Sequence, residues 1–161
     1  MALKGTGSDL DISLKAGSSL KTTTAQFKVC GMENSSTTDD FTAYMADAGA
    51  AVSNTNTARR AIGIVQTYPS SGSAEVSVRI HGLSKAVCAG SVSAGDFVAA
   101  YEGASTTTFP GHIVRANAAA ETVLTTTVAK VILGRALETG QTNSVISVFV
   151  NPAPYPLNAA G

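Results

Sequence analysis

The chain has few charged side chains and no tryptophan, and both scarcities exclude classes of partner. Charged residues make up 14% of its 161 residues, and the formal net charge at pH 7 is zero; an average protein has about 25% charged residues. Because a neutral chain generates no positive field that would attract phosphates, nucleic-acid binding is disfavoured. Aromatic residues make up 6%, so no large aromatic platform for a ligand is expected. Near-zero charge does little to keep copies apart, which suits a protein that ends in an assembly.

Cysteines and long apolar segments are scarce as well. Cys30 and Cys88 lie far apart in sequence, and two cysteines do not make a disulfide framework, so we expect two reduced, buried thiols. The first residues contain no apolar segment typical of a secretory signal. No apolar run approaches the roughly 20 residues of a transmembrane helix. The sequence therefore predicts no membrane partner and an intracellular site of synthesis.

Patterns that would carry catalysis are also missing. No phosphate-binding loop of the form GxxxxGK[ST] occurs, and the segment GSVSAG has Val92 where a nucleophile elbow needs serine. His81 and His112 could each meet a serine in space, but both are interpreted as surface side chains. The histidines and cysteines do not occur at paired metal-ligand spacing. The sequence predicts no catalytic residue, no cofactor, no metal site and no small-molecule substrate.

Small residues are abundant instead, with 26 Ala, 19 Thr, 17 Ser and 15 Gly. Threonine and serine line solvated strand faces and turns without adding charge, and alanine permits close packing. Six to nine short runs of strand character are separated by Gly, Ser and Thr turns. This organisation predicts an all-β fold, a small barrel or sandwich, with one short helical insertion and extended terminal arms.

The clearest strand signal lies at 75–87, where Val76 and Val78 alternate with polar residues and Gly82 interrupts the alternation. The turn that follows at 94–96 is Ala-Gly-Asp. Its glycine can take a positive φ and its aspartate can bond nearby backbone amides. Phe97 is expected to enter the core directly after this turn. These residues are interpreted as scaffold.

A helix is predicted within 38–49, because Phe41, Tyr44, Met45 and Ala48 follow helical spacing and Gly49 offers a stop. The closing segment is rich in proline and is expected to leave the sheet. The predicted organisation is an N-terminal arm at 1–9, one β domain at 10–150 with a loop and helix insertion at 32–60, and a C-terminal tail at 151–161.

The order of several short motifs resembles the tailed-phage capsid decoration (cement) proteins, which are grouped with the lambda-like head-stabilising β-tulip. In that family a G-V strand precedes a V-x-V-x-G strand, an A-G-D-x-V turn and strand, a G-x-A-L-E segment and a hydrophobic closing strand. The corresponding segments here are 62–64, 76–82, 94–98, 134–138 and 145–150. The resemblance covers about residues 60–150, whereas the insertion and the tail depart from the family pattern.

The resemblance implies a non-enzymatic virion protein that binds the outside of an expanded icosahedral phage head and stabilises the shell. It implies homotrimers at three-fold and quasi-three-fold positions, with the major capsid protein as partner, after synthesis in the host cytoplasm. The candidate contact residues are Ala2, Leu3 and Lys4 in the arm, Phe41, Tyr44 and Met45 in the insertion, and Tyr155 in the tail. For Phe41 and Met45, packing in the protein core is an open alternative.

Two other classes remain open. The first is a receptor- or glycan-binding head fibre or adhesin module, which is also all-β and without a catalytic site. It predicts exposed aromatic side chains clustered on loops, and this chain has few aromatics. The second is a small serine hydrolase, which would need one of the two histidines in a catalytic role.

Overall fold

The computed structural model describes residues 9–21, 23–32, 42–46, 60–67, 75–101, 109–116 and 131–154. In this part of the chain the strands are β1 (Leu10–Ala16), β2 (Val29–Met32), β3 (Thr42–Met45), β4 (Arg60–Val65), β5 (Glu75–Val87), β6 (Phe97–Ala100), β7 (Ile113–Arg115), β8 (Val131–Ala136) and β9 (Val145–Pro154). Two single-turn 3₁₀ helices, Ser18–Leu20 and Thr23–Ala25, follow β1. The predicted all-β class is confirmed. No helix among the described residues has the length and apolarity needed to cross a membrane.

Five strands close into a barrel in the order β1-β3-β2-β4-β5, because β1 also pairs with β5. The barrel is mixed: β1 and β3 are parallel, and its other pairs are antiparallel. Closure leaves these strands without a free edge over their paired lengths. The interior is filled by small and medium apolar side chains, namely Leu14, Ala16, Leu20, Ala25, Cys30, Ala43, Met45, Val65, Val76 and Val78.

The long strand β5 belongs to two sheets. Its first half pairs with β1 and β4, and its second half, from Gly82 to Val87, pairs with β9. The other strands follow in the antiparallel order β5-β9-β8-β6-β7, which we call the second sheet. This sheet curls back on itself, because the N–H of Ala89 donates to the carbonyl of Ile113 at 2.7 Å. The two sheets are therefore joined by one continuous strand.

A bulge in β4 lets the same strand contribute to two cores. Cys30 faces Gly63 and Gly31 faces Ala61, so Ile62 is an extra residue in the pairing. Ile62 consequently packs inside the barrel, whereas the buried Ile64 packs under the second sheet. The wall of the barrel at β2 and β4 thus forms part of the core of the second sheet.

Gly82 marks the point where β5 leaves the barrel. Its φ is +107°, and a Cβ there would lie 2.0 Å from Oδ1 of Asp9. The same carboxylate accepts a hydrogen bond from the N–H of Leu83 at 3.0 Å and forms an ion pair with Arg79 at 2.9 Å. Arg79 also pairs with Asp11. The predicted interruption at Gly82 is confirmed as a change of backbone conformation, and the charged side chains fix the start of β1 against it.

The predicted helix is wrong where the structure describes the insertion. Residues 42–45 form β3, which pairs with β2 through Cys30 and Met45 and with β1 through Lys15 and Thr42. A strand at 42–45 forms backbone hydrogen bonds with two neighbouring strands and completes the barrel, which a short isolated helix could not do. The remaining residues of the predicted helix lie outside the described part.

The expected departure of the chain from the sheet after Val150 is also wrong. Strand β9 continues to Pro154, with Ala153 opposite Ile132 and Pro154 opposite Val131. The last pair between β9 and β5 joins Val150 to Gly82, so among the described residues β9 pairs only with β8 beyond that point. Proline is tolerated there because an edge strand does not need every N–H for its ladder. Residues 155–161 of the predicted tail lie outside the described part.

The two cysteines are free and buried, as predicted. Cys30 points into the barrel and Cys88 into the core of the second sheet. Burial raises the pKa of Cys30 to about 12 and also raises the pKa of Cys88. Both thiols are therefore protonated at neutral pH and serve as small apolar packing groups.

Candidate functional site

The Ala-Gly-Asp turn at 94–96 has a structural role, because it fixes the start of β6 against the end of β8. Gly95 has a φ of +91°, and Oδ2 of Asp96 accepts a hydrogen bond from the N–H of Ser93 at 2.9 Å. The turn is tied to the end of β8, because Gly95 N–H donates to Ala136 O at 2.8 Å and Ala136 N–H donates to Asp96 O at 2.9 Å. The predicted roles of the glycine and the aspartate are confirmed.

The expected burial of Phe97 is wrong. Phe97 is 49% exposed, and its neighbour Val98 occupies the core instead. The turn is tied to β8 through Gly95 and Asp96, and this sets the alternation of β6 so that even-numbered Val98 points inward. Phe97 is thereby presented on the outer face of the second sheet.

Four side chains form one row across that outer face, which we call the ladder. Leu83 on β5 is opposite Phe149 on β9, Phe149 is opposite Arg135 on β8, and Arg135 is opposite Phe97 on β6. The guanidinium carbon of Arg135 lies 4.7 Å from the centroid of the Phe97 ring, within range of a cation–π interaction. The His81 ring meets Phe149 edge-on, with the ring centroids 5.3 Å apart. The row combines an aliphatic, an aromatic, a cationic and a second aromatic group.

A shallow groove lies beside the ladder on the same face. Its volume is about 360 Å³, and its lining residues are Phe27, Gln66, Leu83, Ser84, Lys85, Leu137 and Ser147. Leu83 and Leu137 are 53% and 47% exposed, so the groove presents two aliphatic side chains to solvent. Apolar groups gathered on one face are more informative than the same groups scattered over a surface. We take the ladder and the groove together as the candidate functional site.

Glu138 fixes the polar rim of the groove. Its carboxylate accepts a hydrogen bond from the N–H of Ser147 at 2.7 Å and lies 3.5 Å from Nζ of Lys85. The hydrogen bond from Ser147 and the charge of Lys85 hold the pKa of Glu138 below its usual value. Lys85 in turn donates to Oγ of Ser147 at 2.8 Å. The G-x-A-L-E segment thus ends in a residue that braces β8 against β5 and β9.

The interpretation of His112 as a surface histidine is wrong. Its side chain is 7% exposed, and its ring packs edge-on against Phe109 at a centroid distance of 5.2 Å. Nζ of Lys28 lies 2.8 Å from Nε2 and 3.1 Å from Nδ1, and Nδ1 also lies 3.1 Å from the carbonyl oxygen of Pro110. A ring nitrogen that accepts from the Lys28 ammonium must carry no proton, so these contacts favour the neutral ring. A serine-based catalytic site needs a serine hydroxyl beside the histidine ring. At His112 the amine of Lys28 occupies that place.

This environment predicts a pH dependence of stability. Burial, and then the charge of Lys28, lower the pKa of His112 in the folded state from its ordinary 6.5. The unfolded chain therefore binds the proton at higher pH than the folded chain. The His112 contribution is complete above the unfolded pKa and is lost as the pH falls from about 6.5 toward the folded pKa.

We expect the free energy of unfolding, measured by urea denaturation, to decrease below about pH 6.5 in the wild type. The variant His112→Gln should lack that part of the slope, whatever its stability at neutral pH. An unchanged slope in the variant would contradict the assignment. His81, which has its ring against Phe149, is present in both proteins and cancels in the comparison.

The contact residues predicted from the sequence fall in different parts of the fold. Tyr44 is half-buried on β3, with its ring against Gly17, and Met45 is buried in the barrel. Neither belongs to the ladder or the groove, and their contact with a partner stays a prediction. The other candidates lie outside the described residues, namely Ala2, Leu3, Lys4, Phe41 and Tyr155.

Sequence reasoning did not single out the ladder or the groove. The signal was present in the odd-numbered positions of β5 and β9, where Leu83 and Phe149 lie on the polar side of two alternating strands. Together with Val87 and Val145 on the same side, these two residues were the available sign of a second apolar face. In the described part of the chain, no three His, Cys, Asp or Glu side chains gather in a way that could hold a metal ion.

The comparison with known proteins gives a similarity in structure and none in sequence. No protein-family model matches the chain, and no curated protein matches its sequence. The fold is similar to the crystal structure of the head fiber gp8.5 N base of bacteriophage phi29, with 10% sequence identity and a TM-score of 0.44. The match covers 91% of this chain and 98% of that chain. It is a match with a head-fibre base and not with a decoration protein, and at this TM-score it establishes neither a shared fold nor a shared function.

Proposed function

We propose that this chain is a non-enzymatic structural protein attached to the outside of a bacteriophage head. The observation that carries the proposal is that the motif segments form connected strands and that their distinctive residues have structural roles. The segments that resemble the decoration family lie on connected strands: 62–64 on β4 and 76–82 on the barrel half of β5, and 94–98, 134–138 and 145–150 at β6, β8 and β9 of the second sheet. Within these segments, Gly82 lies where β5 leaves the barrel and Asp96 bonds the turn before β6. Glu138 bonds the backbone of β9. Motif residues with structural roles favour a binding protein over an enzyme.

The finer hypothesis is a decoration protein that binds the expanded shell as homotrimers at three-fold and quasi-three-fold positions. Each trimer would bridge several coat subunits, so contacts of modest strength would act together through avidity. A protein that binds the assembled shell and not its separate subunits stabilises the shell by mass action. The neutral net charge of the chain is compatible with dense packing of copies on a surface.

The second candidate is the base of a head fibre, which would hold the same location but a different role. The solved structure named above belongs to this second class. A fibre base needs attachment to the head and an outward connection, and it need not reinforce the shell. The two candidates therefore differ in whether binding changes the stability of the head.

The test is co-sedimentation of the purified protein with empty heads of the virus that encodes it, comparing expanded with unexpanded shells. We expect saturable binding that is restricted to expanded shells. Thermal disruption of decorated and bare shells is then followed by light scattering. A raised disruption temperature on decoration supports the decoration hypothesis, whereas binding without such a rise supports the fibre base.

Two outcomes would count against the proposal. Failure to bind either form of the head contradicts attachment to the head. Binding to unexpanded shells with the same affinity contradicts the restriction to the mature surface, while leaving attachment in place.

A further inference from the structure

We propose that the ladder and the groove are the surface that docks onto the coat protein, and this proposal rests on the proposed attachment to a phage head. The segment that fits would place a carboxylate on Arg135 and an aliphatic or aromatic side chain between Leu83 and Leu137. The contact would thus lie on the outer face of the second sheet, and not at the arm or the tail.

Arg135 supplies the charge complementarity. In the described part of the chain, no carboxylate lies within ion-pair distance of its guanidinium, and its recorded contact is the stacking on Phe97. Lys85, the cation that lines the groove, is paired, because its Nζ lies 3.5 Å from the carboxylate of Glu138. Arg135 is therefore the cation of this face that is left to bind a carboxylate of a partner.

The position of Arg135 is held in advance of binding. The ring of Phe97 lies beneath the guanidinium, and Phe149 lies opposite Arg135 on the neighbouring strand. A planar cation stacked on an aromatic ring retains its outward N–H groups for bidentate bonding to a carboxylate. Because the side chain is already ordered, less conformational entropy is lost when the partner binds.

The groove supplies the apolar part of the contact. Leu83 and Leu137 are both about half exposed, and Lys85 and Ser147 line the groove with them. A volume of about 360 Å³ accommodates one or two apolar side chains of a partner. Covering these leucines removes apolar area from water, while the ion pair of Lys85 and Glu138 stays at the rim.

A second copy of the same face is a poorer occupant. In a two-fold pairing of the ladder with itself, Arg135 of one copy would approach the ladder of the other, which offers a cation and no carboxylate. The carboxylate of Glu138 at the rim of the groove is paired with Lys85 of its own chain, and Asp9 and Asp11 both contact Arg79. Like charges brought together across an interface disfavour that pairing. A partner that brings its own carboxylate fits better.

The test measures binding of full-length variants to expanded empty heads. Arg135→Gln is expected to raise the Kd at least about tenfold, since it removes the charged contact and its stacking. Leu137→Ser should raise the Kd several-fold by removing apolar area. Arg115→Gln is the matched control, because it removes one exposed arginine that already has a carboxylate partner within the chain. Its Kd should stay within about twofold of the wild type.

Two further readouts separate docking from folding. Raising the salt concentration should weaken binding of the wild type more than binding of Arg135→Gln, because the variant lacks the screened charge pair. Thermal unfolding and sedimentation of each variant report its stability and its oligomeric state. Both substituted side chains are exposed, so their thermal unfolding is expected to match the wild type.

Each result supports or overturns the proposal. Weakened binding of both variants, with an unchanged oligomer and a normal control, supports it. If the wild type binds heads and both variants bind equally well, the docking surface is wrong while attachment to the head stands. If the wild type does not bind at all, the proposed function and the docking surface fail together. If the variants lose their oligomeric state instead, the face joins copies of this chain and the coat assignment is wrong.

Discussion

Gly134→Ala is expected to destabilise the fold by at least about 3 kcal/mol, a large fraction of the roughly 5–15 kcal/mol that stabilises an ordinary protein. Gly134 lies at the irregularity in the pairing of β8 with β9, opposite Val150. A Cβ at this position would lie 1.9 Å from the carbonyl oxygen of Phe149 and 2.9 Å from its carbonyl carbon. Both atoms belong to the backbone, so relief requires β8 to move away from β9. That movement would break the backbone hydrogen bonds between β8 and β9 at the centre of the second sheet.

Gly90→Ala is the matched control for this prediction. A Cβ at Gly90 would have no neighbouring atom within 4 Å, so its effect should stay within about 0.5 kcal/mol. Urea denaturation of both variants, followed by circular dichroism, measures the difference in the free energy of unfolding. Equal stability of the two variants would mean that β8 and β9 do not approach as closely at Gly134 as described.

Ile64→Ala is the second prediction with a large effect, a loss of about 2–5 kcal/mol. Ile64 is fully buried and contacts the core of the second sheet, although it belongs to a strand of the barrel. Removing its side chain leaves a cavity at the junction, where β4 and β5 hold the two cores together. The loss should appear as a lower urea midpoint with an unchanged slope, because the whole described fold unfolds as one unit.

Ile64→Val tests whether the cost follows the volume removed. It deletes one methylene at the same position and should cost about 0.5–1.5 kcal/mol. The decisive observation is the shape of the Ile64→Ala transition. Two separate transitions would mean that the barrel and the second sheet unfold independently, which contradicts a core shared through β4.

Several strands and turns could be predicted from local pattern. Val76 and Val78 alternate with polar residues, and the strand they predict is β5. Asp96 follows a glycine, and its carboxylate accepts a hydrogen bond from the N–H of Ser93, three residues earlier. These features depend on residues close in sequence, so the sequence alone contains the information. The class of the fold followed from the same short-range signals.

The errors concern residues whose conformation depends on distant partners. The helical spacing from Phe41 to Met45 is real, but Cys30 and Lys15 provide strand partners for 42–45 from elsewhere in the chain. Tertiary pairing overrides a weak local preference in so short a segment. Phe97 was expected inside because it is apolar. The backbone hydrogen bonds between the turn at 94–96 and β8 place Phe97 on the outer face instead. These bonds join residues about 40 positions apart.

The histidine and the docking face were missed for a related reason. His112 follows a glycine and proline loop, which indicates exposure, and its burial results from contacts with Lys28 and Phe109. The ladder consists of residues from four strands, and their alignment depends on the registers of three strand pairs. No spacing within one segment contains that arrangement.

The two prolines at the end of β9 affect how readily this strand pairs with strands of other chains. Beyond Val150, among the described residues, β9 pairs with β8 and no longer with β5. Pro152 and Pro154 lie in this segment, and proline has no backbone N–H. The segment therefore has fewer donors to offer an incoming strand. It is a poor template for intermolecular β-sheet growth, which protects newly made chains from aggregation at high concentration.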